Sequence, residues 1–137
     1  MKVLIDTNIL ISAMLRNSKP EAVILWIIAQ YDWRWMASPA IMDEYRGVLH
    51  RKKFNFTAEF IQQWTELLYE SITLCEPNIT IDFQRDLKDS KFLSCARFTN
   101  ADVLVTGDND FQDAQQLVDT LIVSPSEFLK IFMERHE

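Results

Sequence analysis

The sequence of 137 residues predicts an α/β protein in which helices cover both faces of a central parallel sheet. The short apolar runs at residues 3–5 and 103–105 are continuous rather than alternating, which is typical of strands buried on both faces. Stretches with helical periodicity separate these runs. No repeat, low-complexity tract or linker interrupts the pattern, so we expect one domain over residues 1–137.

The first elements are a strand and two apolar helices. Residues 3–5 are predicted as the strand, and the largely apolar residues 8–16 favour a buried helix after it. A turn is predicted at residues 17–20, and Pro20 suits the first turn of the next helix. That second helix, over residues 21–30, is strongly apolar.

A tryptophan-rich strand is predicted over residues 32–37. Ser38 is a good N-cap for a third helix over residues 39–49, whose apolar positions recur at spacings of three and four. Thr57 similarly caps a fourth helix over residues 58–69.

The second half of the chain continues the alternation of strands and helices. Short apolar runs predict three more strands, at residues 71–75, 103–105 and 121–123. The remaining segments are predicted as a loop at 78–88, a helix at 89–99, a short helix or turn at 109–119, and a terminal helix from 124.

The composition limits the classes of function. A net charge of −6 argues against a protein that coats nucleic acid, so any such contact must be local and assisted by metal. Neither a signal peptide nor an apolar run of about 18 residues is present, so we expect a cytoplasmic protein without membrane contact. Cys75 and Cys95 are expected to be reduced, half-buried thiols. His50 and His136 are isolated, which argues against a zinc site.

Acidic residues follow two of the predicted strands. Asp6 comes directly after the first strand, and Asp108 comes shortly after the strand at residues 103–105. Because parallel strands share one carboxyl edge, both carboxylates are expected at the same rim of the sheet. Asp89 begins a helix that leads into this second strand, and Glu44 lies on the apolar face of the third helix. A carboxylate on such a face is seldom buried without a partner.

A shared divalent cation is the simplest partner for such a cluster. Two carboxylates about 5 Å apart repel by roughly 3 kcal/mol at an effective dielectric constant near 20. Mg²⁺ or Mn²⁺ would remove that penalty, and both ions prefer oxygen ligands. A metal at an acidic rim suits phosphoryl chemistry. The alternative, solvated surface acids, fits each residue singly but fits their joint placement poorly.

Four segments in this order resemble a PIN domain: IDTNILISA, SPAIMDEYRGVL, RDLKDSKFL and ADVLVTGDNDF. The resemblance spans residue 3 to about residue 125 and is strongest to the VapC-like toxin components of prokaryotic toxin–antitoxin pairs. It implies a three-layer α/β/α sandwich and a Mg²⁺- or Mn²⁺-dependent endoribonuclease that leaves a 5′-phosphate and a 3′-hydroxyl. It also implies an RNA substrate, a cognate antitoxin protein, and a homodimer or higher homo-oligomer.

The resemblance assigns roles to individual residues. Four acids are expected to hold the metal and act in catalysis: Asp6, Glu44, Asp89 and Asp108. Supporting roles are expected for Asn8, Thr106, Asp110 and Asp86. Basic residues that could contact RNA phosphates, or that could serve as helix caps and surface charges, are Arg46, Arg51, Lys52 and Lys91.

Two other classes of function compete with the ribonuclease. One is a catalytically weak or inactive PIN-fold protein that binds RNA in a regulatory role. The other is a Mg²⁺-dependent phosphatase or phospho-acceptor domain. Asp6 is followed by Thr7 and Asn8, so the second aspartate expected of an aspartyl-nucleophile phosphatase is missing.

Overall fold

The computed structural model describes residues 1–77 and 90–134, apart from the side chains of residues 109, 110 and 112. Its strands are Lys2–Ile5 (β1), Arg34–Ala37 (β2), Ile72–Leu74 (β3), Val103–Val105 (β4) and Leu121–Val123 (β5). Its α-helices are Thr7–Met14 (α1), Ser18–Ala29 (α2), Pro39–Leu49 (α3), Ala58–Ser71 (α4), Ser90–Thr99 (α5) and Pro125–Phe128 (α6). A 3-10 helix covers Asn109–Leu117, and a π-helical segment covers Leu129–Met133.

The five strands form one parallel sheet in the order β3-β2-β1-β4-β5. The strand β1 lies at its centre, and Val3, Leu4 and Ile5 have no exposed surface. Since successive side chains of a strand point to opposite faces, this burial means that both faces are covered. The structure therefore confirms the predicted α/β/α architecture.

The helices also pack against one another. The helix α2 contacts α1 and α6, α1 also contacts α3, and α3 contacts both α4 and α5. The helix α5 also packs on β1 and β2, and α6 packs on β5. Among the residues that the structure describes, no helix is long and apolar enough to cross a membrane.

Two predicted N-caps are confirmed. The Ser38 hydroxyl accepts a hydrogen bond of 3.2 Å from the backbone N–H of Ile41, at the start of α3. The Thr57 hydroxyl accepts one of 3.1 Å from the backbone N–H of Phe60, at the start of α4. Both hydroxyls satisfy a backbone donor that the first turn of a helix leaves unpaired.

The predicted turn at residues 17–20 is wrong, because α2 already begins at Ser18. Pro20 lies in the first turn of this helix, where the backbone N–H that proline lacks would have no partner in the helix. A helix can therefore begin one or two residues before a proline, as α2 does. The predicted loop at residues 78–88 and the first residue of the predicted helix at 89–99 lie outside the described residues.

The two cysteines are free thiols whose Sγ atoms are 3.1 Å apart. Cys75 is half-buried, as predicted, whereas Cys95 is fully buried in α5. Burial, followed by the neighbouring Cys75, raises the pKa of the Cys95 thiol.

Candidate active site

Asp6 lies at the point where the central strand becomes a helix. Its backbone N–H donates to the carbonyl of Val105, 2.9 Å away, and so continues the pairing of β1 with β4. Its own carbonyl accepts from the N–H of Ile9 at 3.0 Å, which begins α1. The backbone on both sides of Asp6 is thus held by regular structure, and the residue is only 4% exposed.

The electrostatic environment of Asp6 raises its pKa. Burial is the largest cause, because it disfavours the charged form of the carboxyl group. The Thr106 hydroxyl and the backbone amide of Asn8 act in the opposite direction, and the negative charges of Asp108 and Glu44 raise the pKa further. The charges of Asp108 and Glu44 therefore lie close enough to Asp6 to disfavour its ionised form.

Thr106 links Asp6 to Asp108. The pairing of Ile5 with Val105 places the next residue of each strand side by side. The Thr106 hydroxyl donates to Oδ2 of Asp6 at 2.8 Å, and its oxygen accepts from the backbone N–H of Asp108 at 3.1 Å. Thr106 is itself buried and Asp108 is half-buried. The resemblance predicted a supporting role for Thr106, and in the structure its hydroxyl orients the carboxylate of Asp6.

Glu44 reaches the same rim from α3. This helix begins directly after β2, which neighbours β1, and Glu44 lies in its second turn. Its Oε2 accepts a hydrogen bond from the Thr7 hydroxyl, and its Oε1 accepts one of 2.8 Å from Nζ of Lys91. Sequence reasoning assigned no role at this rim to Thr7, although its position beside Asp6 could have indicated this one.

Tyr45 fastens α3 to the end of β1. Its ring is completely buried, and its hydroxyl donates to the backbone carbonyl of Ile5, the residue before Asp6. The residues next to Glu44 and Asp6 are thus joined directly. Sequence reasoning missed this contact, because an inward-facing tyrosine on an amphipathic helix predicts burial but not the partner of its hydroxyl.

The chemistry of these side chains fits a hard divalent cation. Asp6, Glu44 and Asp108 offer carboxylate oxygens in a partly buried environment where their charges repel. Within residues 1–77 and 90–134, however, no three acidic, histidine or cysteine side chains are arranged as a group that could hold a metal. One oxygen of Glu44 is instead paired with Lys91. Asp89, the fourth predicted ligand, lies outside the described residues.

The structure gives less information on the other residues for which supporting roles were predicted. Asn8 is exposed in the first turn of α1, two residues after Asp6. Asp110 belongs to the 3-10 helix that follows Asp108, but its side chain is not described, and Asp86 lies outside the described residues. The supporting roles predicted for these three residues stay predictions.

Four basic residues were predicted to contact phosphates. One of them lies at the acidic rim, the edge of the sheet that carries Asp6, Glu44 and Asp108, and the other three lie away from it. Lys91 touches Glu44 directly. Arg46 binds Asp43 of its own helix, and it also donates to Oη of Tyr69 at 2.8 Å. Exposed Arg51 and Lys52 follow the carboxyl end of α3, which lies more than one helical turn beyond Glu44.

A cavity of about 440 Å³ adjoins the acidic rim. It is bordered by residues that follow β2 and β3 and by the first turns of α5, namely Ser38, Pro39, Ala40, Glu76, Pro77, Ser90, Lys91 and Ser94. Lys91 therefore lies between the carboxylates and this cavity. A larger cavity of about 550 Å³ lies near the amino ends of β4 and β5, so it is not part of the acidic rim.

Comparison with known proteins identifies the fold and the family. One similar solved structure is VapBC2 from Rickettsia felis bound to a DNA fragment from their promoter, with 14% identity, a TM-score of 0.60, and coverage of 90% of this chain and 98% of that chain. Another is VapBC-1 from nontypeable Haemophilus influenzae, with 20% identity, a TM-score of 0.56, and coverage of 92% and 99%. Among curated proteins, nothing matches.

The family assignment comes from the sequence itself. The family model described as "PIN domain" matches residues 2–110, which include β1, α3 and β4 and hence Asp6, Glu44 and Asp108. The matched region covers well over half of the chain. The protein therefore belongs to the PIN domain family.

Proposed function

We propose that the protein is a metal-dependent endoribonuclease that hydrolyses phosphodiester bonds in RNA. The observation that carries this proposal is a cluster of carboxyl groups: Thr106 bridges the buried Asp6 to the backbone of Asp108, and Thr7, next to Asp6, donates to Glu44. Such a cluster is unfavourable by itself, and a divalent cation would stabilise it. Its place at the carboxyl edge of a parallel sheet is where α/β proteins bind their ligands.

In this proposal Asp6, Glu44 and Asp108 hold Mg²⁺ or Mn²⁺, together with Asp89. When bound, the cation would lower the pKa of a water molecule and offset negative charge on the phosphate. Thr106 orients the carboxylate of Asp6 through its 2.8 Å hydrogen bond, and Thr7 similarly orients Glu44. Both threonines are buried, so the orientations they impose do not depend on solvent.

RNA would reach the site across the rim that also carries the 440 Å³ cavity. Lys91 supplies positive charge there, which suits a phosphate beside the carboxylates. The more distant Arg46, Arg51 and Lys52 would contact RNA only along the outer surface of α3. A substrate held mainly by local contacts is consistent with the net charge of −6.

We further propose that the protein is the toxin of a type II toxin–antitoxin pair that acts in the cytoplasm. The two similar structures described above are both of VapBC proteins, and the chain spans nearly the full length of each matched chain. A cognate antitoxin protein would be its partner, and a homodimer or higher homo-oligomer would be its assembly.

The test of the nuclease is cleavage of RNA in the presence of Mn²⁺ by the wild type, by Asp6→Asn and by Asp119→Asn. Asp119 is an exposed acid just before β5 and serves as the matched control. We expect the wild type and Asp119→Asn to cleave at similar rates and Asp6→Asn to lose at least about a hundredfold, since a ligand of the catalytic metal is removed. Equal cleavage by all three proteins would show that a contaminating nuclease is responsible.

The same experiment decides the alternative of an inactive RNA-binding protein. The arrangement of Glu44, with one oxygen on Lys91 and the other on Thr7, is the observation that favours it. RNA retained by the wild type in a gel-shift assay, without any cleavage dependent on Asp6, would replace the nuclease proposal with this one.

A further inference from the structure

We propose that Lys91 is an internal counter-ion of Glu44, which a divalent cation must displace in order to bind, so that Lys91 weakens the affinity of the free protein for that cation. The inference rests on the proposed function, because it concerns the same site. It adds a determinant of cation affinity that lies outside the carboxylate ligands.

Lys91 and Glu44 form a partly buried ion pair. Nζ of Lys91 lies 2.8 Å from Oε1 of Glu44, and the two side chains are only 24% and 28% exposed. An ion pair that is shielded from water interacts more strongly than one on an open surface. The contact also joins α3 to α5 across 47 residues of sequence, so it belongs to the tertiary structure of the rim.

Both carboxylate oxygens of Glu44 already accept a hydrogen bond. Oε2 accepts from the Thr7 hydroxyl, and Oε1 accepts from Lys91. A cation that approaches Oε1 would meet the ammonium group at close range, and the two positive charges would repel. Binding at Glu44 is therefore an exchange of one cation for another. This pairing also agrees with the lack of a ready ligand group of three within residues 1–77 and 90–134.

There is space beside Lys91 that can receive its ammonium group. Lys91 also borders the 440 Å³ cavity, where the exposed Glu76 is among the lining residues. A lysine side chain has a flexible four-carbon stem and can keep its charge solvated after it leaves a partner. We therefore expect rotation of the Lys91 side chain to be enough to release Glu44.

The experiment measures the dissociation constant of Mn²⁺ for RNA-free protein, by electron paramagnetic resonance of the unbound ion. The proteins are the wild type, Lys91→Met, Lys91→Arg and the control Lys130→Met, which removes an exposed lysine far along the sequence. We expect Lys91→Met to bind Mn²⁺ about tenfold more tightly, within the usual range of coupling between two sites. Lys91→Arg and Lys130→Met should bind within about twofold of the wild type.

Unchanged or weaker binding of Mn²⁺ by Lys91→Met would overturn the inference, and so would a complete lack of binding by the wild type and all variants. Circular dichroism in the presence of a chelator verifies folding, and Lys91→Gln replaces Lys91→Met if the latter is unfolded. RNA cleavage is assayed separately. A change in Mn²⁺ affinity without any cleavage would reject the nuclease and keep the inference, whereas cleavage with unchanged affinity would do the reverse.

Discussion

At the scale of single residues, the requirements of stability and of the proposed chemistry conflict at Asp6. Its carboxyl group is buried beside two other negative charges, and burial raises its pKa. In the absence of a cation, the ionised form therefore destabilises the folded state relative to the unfolded chain. Active sites often retain groups of this kind at a cost in stability.

We predict that Asp6→Asn raises the thermal midpoint of the protein in a chelator at pH 7 by a few degrees, which corresponds to about 1 kcal/mol in a domain of this size. The asparagine removes the charge, and its amide oxygen can still accept from Thr106 or from the backbone N–H of Asn8. Differential scanning calorimetry measures the effect, with Asp119→Asn as the exposed control.

The raised pKa of Asp6 also predicts that the stability advantage of Asp6→Asn depends on pH. Because the folded-state pKa of Asp6 lies above its ordinary value of 3.8, the contribution of this group to stability is greatest when it is protonated, and it declines as the pH rises through the folded-state value. The advantage of Asp6→Asn should therefore be larger at pH 7 than at pH 4. An advantage that grows toward pH 4 would contradict this account of the site.

Tyr45 is a second residue whose contribution can be isolated. Its buried hydroxyl donates to the carbonyl of Ile5, and Tyr45→Phe removes that hydrogen bond while the ring remains. We predict a loss of about 1–2 kcal/mol in the free energy of unfolding, measured with urea. Tyr31 is fully exposed, so Tyr31→Phe should change it by less than about 0.5 kcal/mol. Equal effects of the two substitutions would rule out the contact as a link between α3 and β1.

At the level of secondary-structure elements, two contacts of α3 fix the position of Glu44. One is at the first turn of the helix, and the other is on its buried face. Ser38 caps the helix where it leaves β2, and Tyr45 joins its middle to β1. Glu44 lies between these two anchors, which limits how the helix can slide or rotate. Positioning of a ligand by such anchors is more accurate than positioning by a loop.

We predict that Ser38→Ala destabilises the protein by about 1 kcal/mol, because the N–H of Ile41 loses its partner in a buried environment. Asn17 is the matched control, since it is the N-cap of α2 but its side chain makes no capping hydrogen bond. Asn17→Ala should therefore cost clearly less. Unfolding in urea, followed by circular dichroism, measures both, and a larger loss for Asn17→Ala would contradict the capping geometry.

At the level of the whole molecule, the order of the strands places β1 at the centre of the sheet. Asp6 directly follows this strand, and the hydrophobic core surrounds it. Leu4 has no exposed surface, whereas Leu121 on the edge strand β5 is 42% exposed. The core is continuous from the central strand to residues of α1, α2, α3 and α5. We therefore expect residues 1–137 to unfold in one cooperative transition.

The corresponding prediction is that Leu4→Ala costs roughly 2–5 kcal/mol of unfolding free energy, because it leaves a cavity in the fully packed centre. Leu121→Ala should cost less than about 1.5 kcal/mol, since its side chain is already partly in water. Chemical denaturation measures both. Two separate transitions in the wild type would contradict the single domain predicted from the sequence.

The fold class and the family could be predicted from the amino-acid sequence alone, and so could the two acids that follow β1 and β4. Continuous apolar runs such as residues 103–105 identify buried parallel strands without knowledge of their neighbours. Asp6 and Asp108 follow two such runs, so their joint position at one edge could be predicted from a general property of parallel sheets. The caps Ser38 and Thr57 were predictable because capping depends on residues only three positions apart.

The hydrogen-bond and ion-pair partners of these residues depend on the folded arrangement of the whole chain. The contacts of Lys91 with Glu44, of Thr106 with Asp6 and of Tyr45 with Ile5 join residues 40 to 100 positions apart. Helical or strand periodicity shows which side chains face inward, but not which atom each of them meets. That choice depends on the order of strands in the sheet and on the packing of α3 and α5 beside it, because hydrogen bonds and ion pairs require a particular distance and direction.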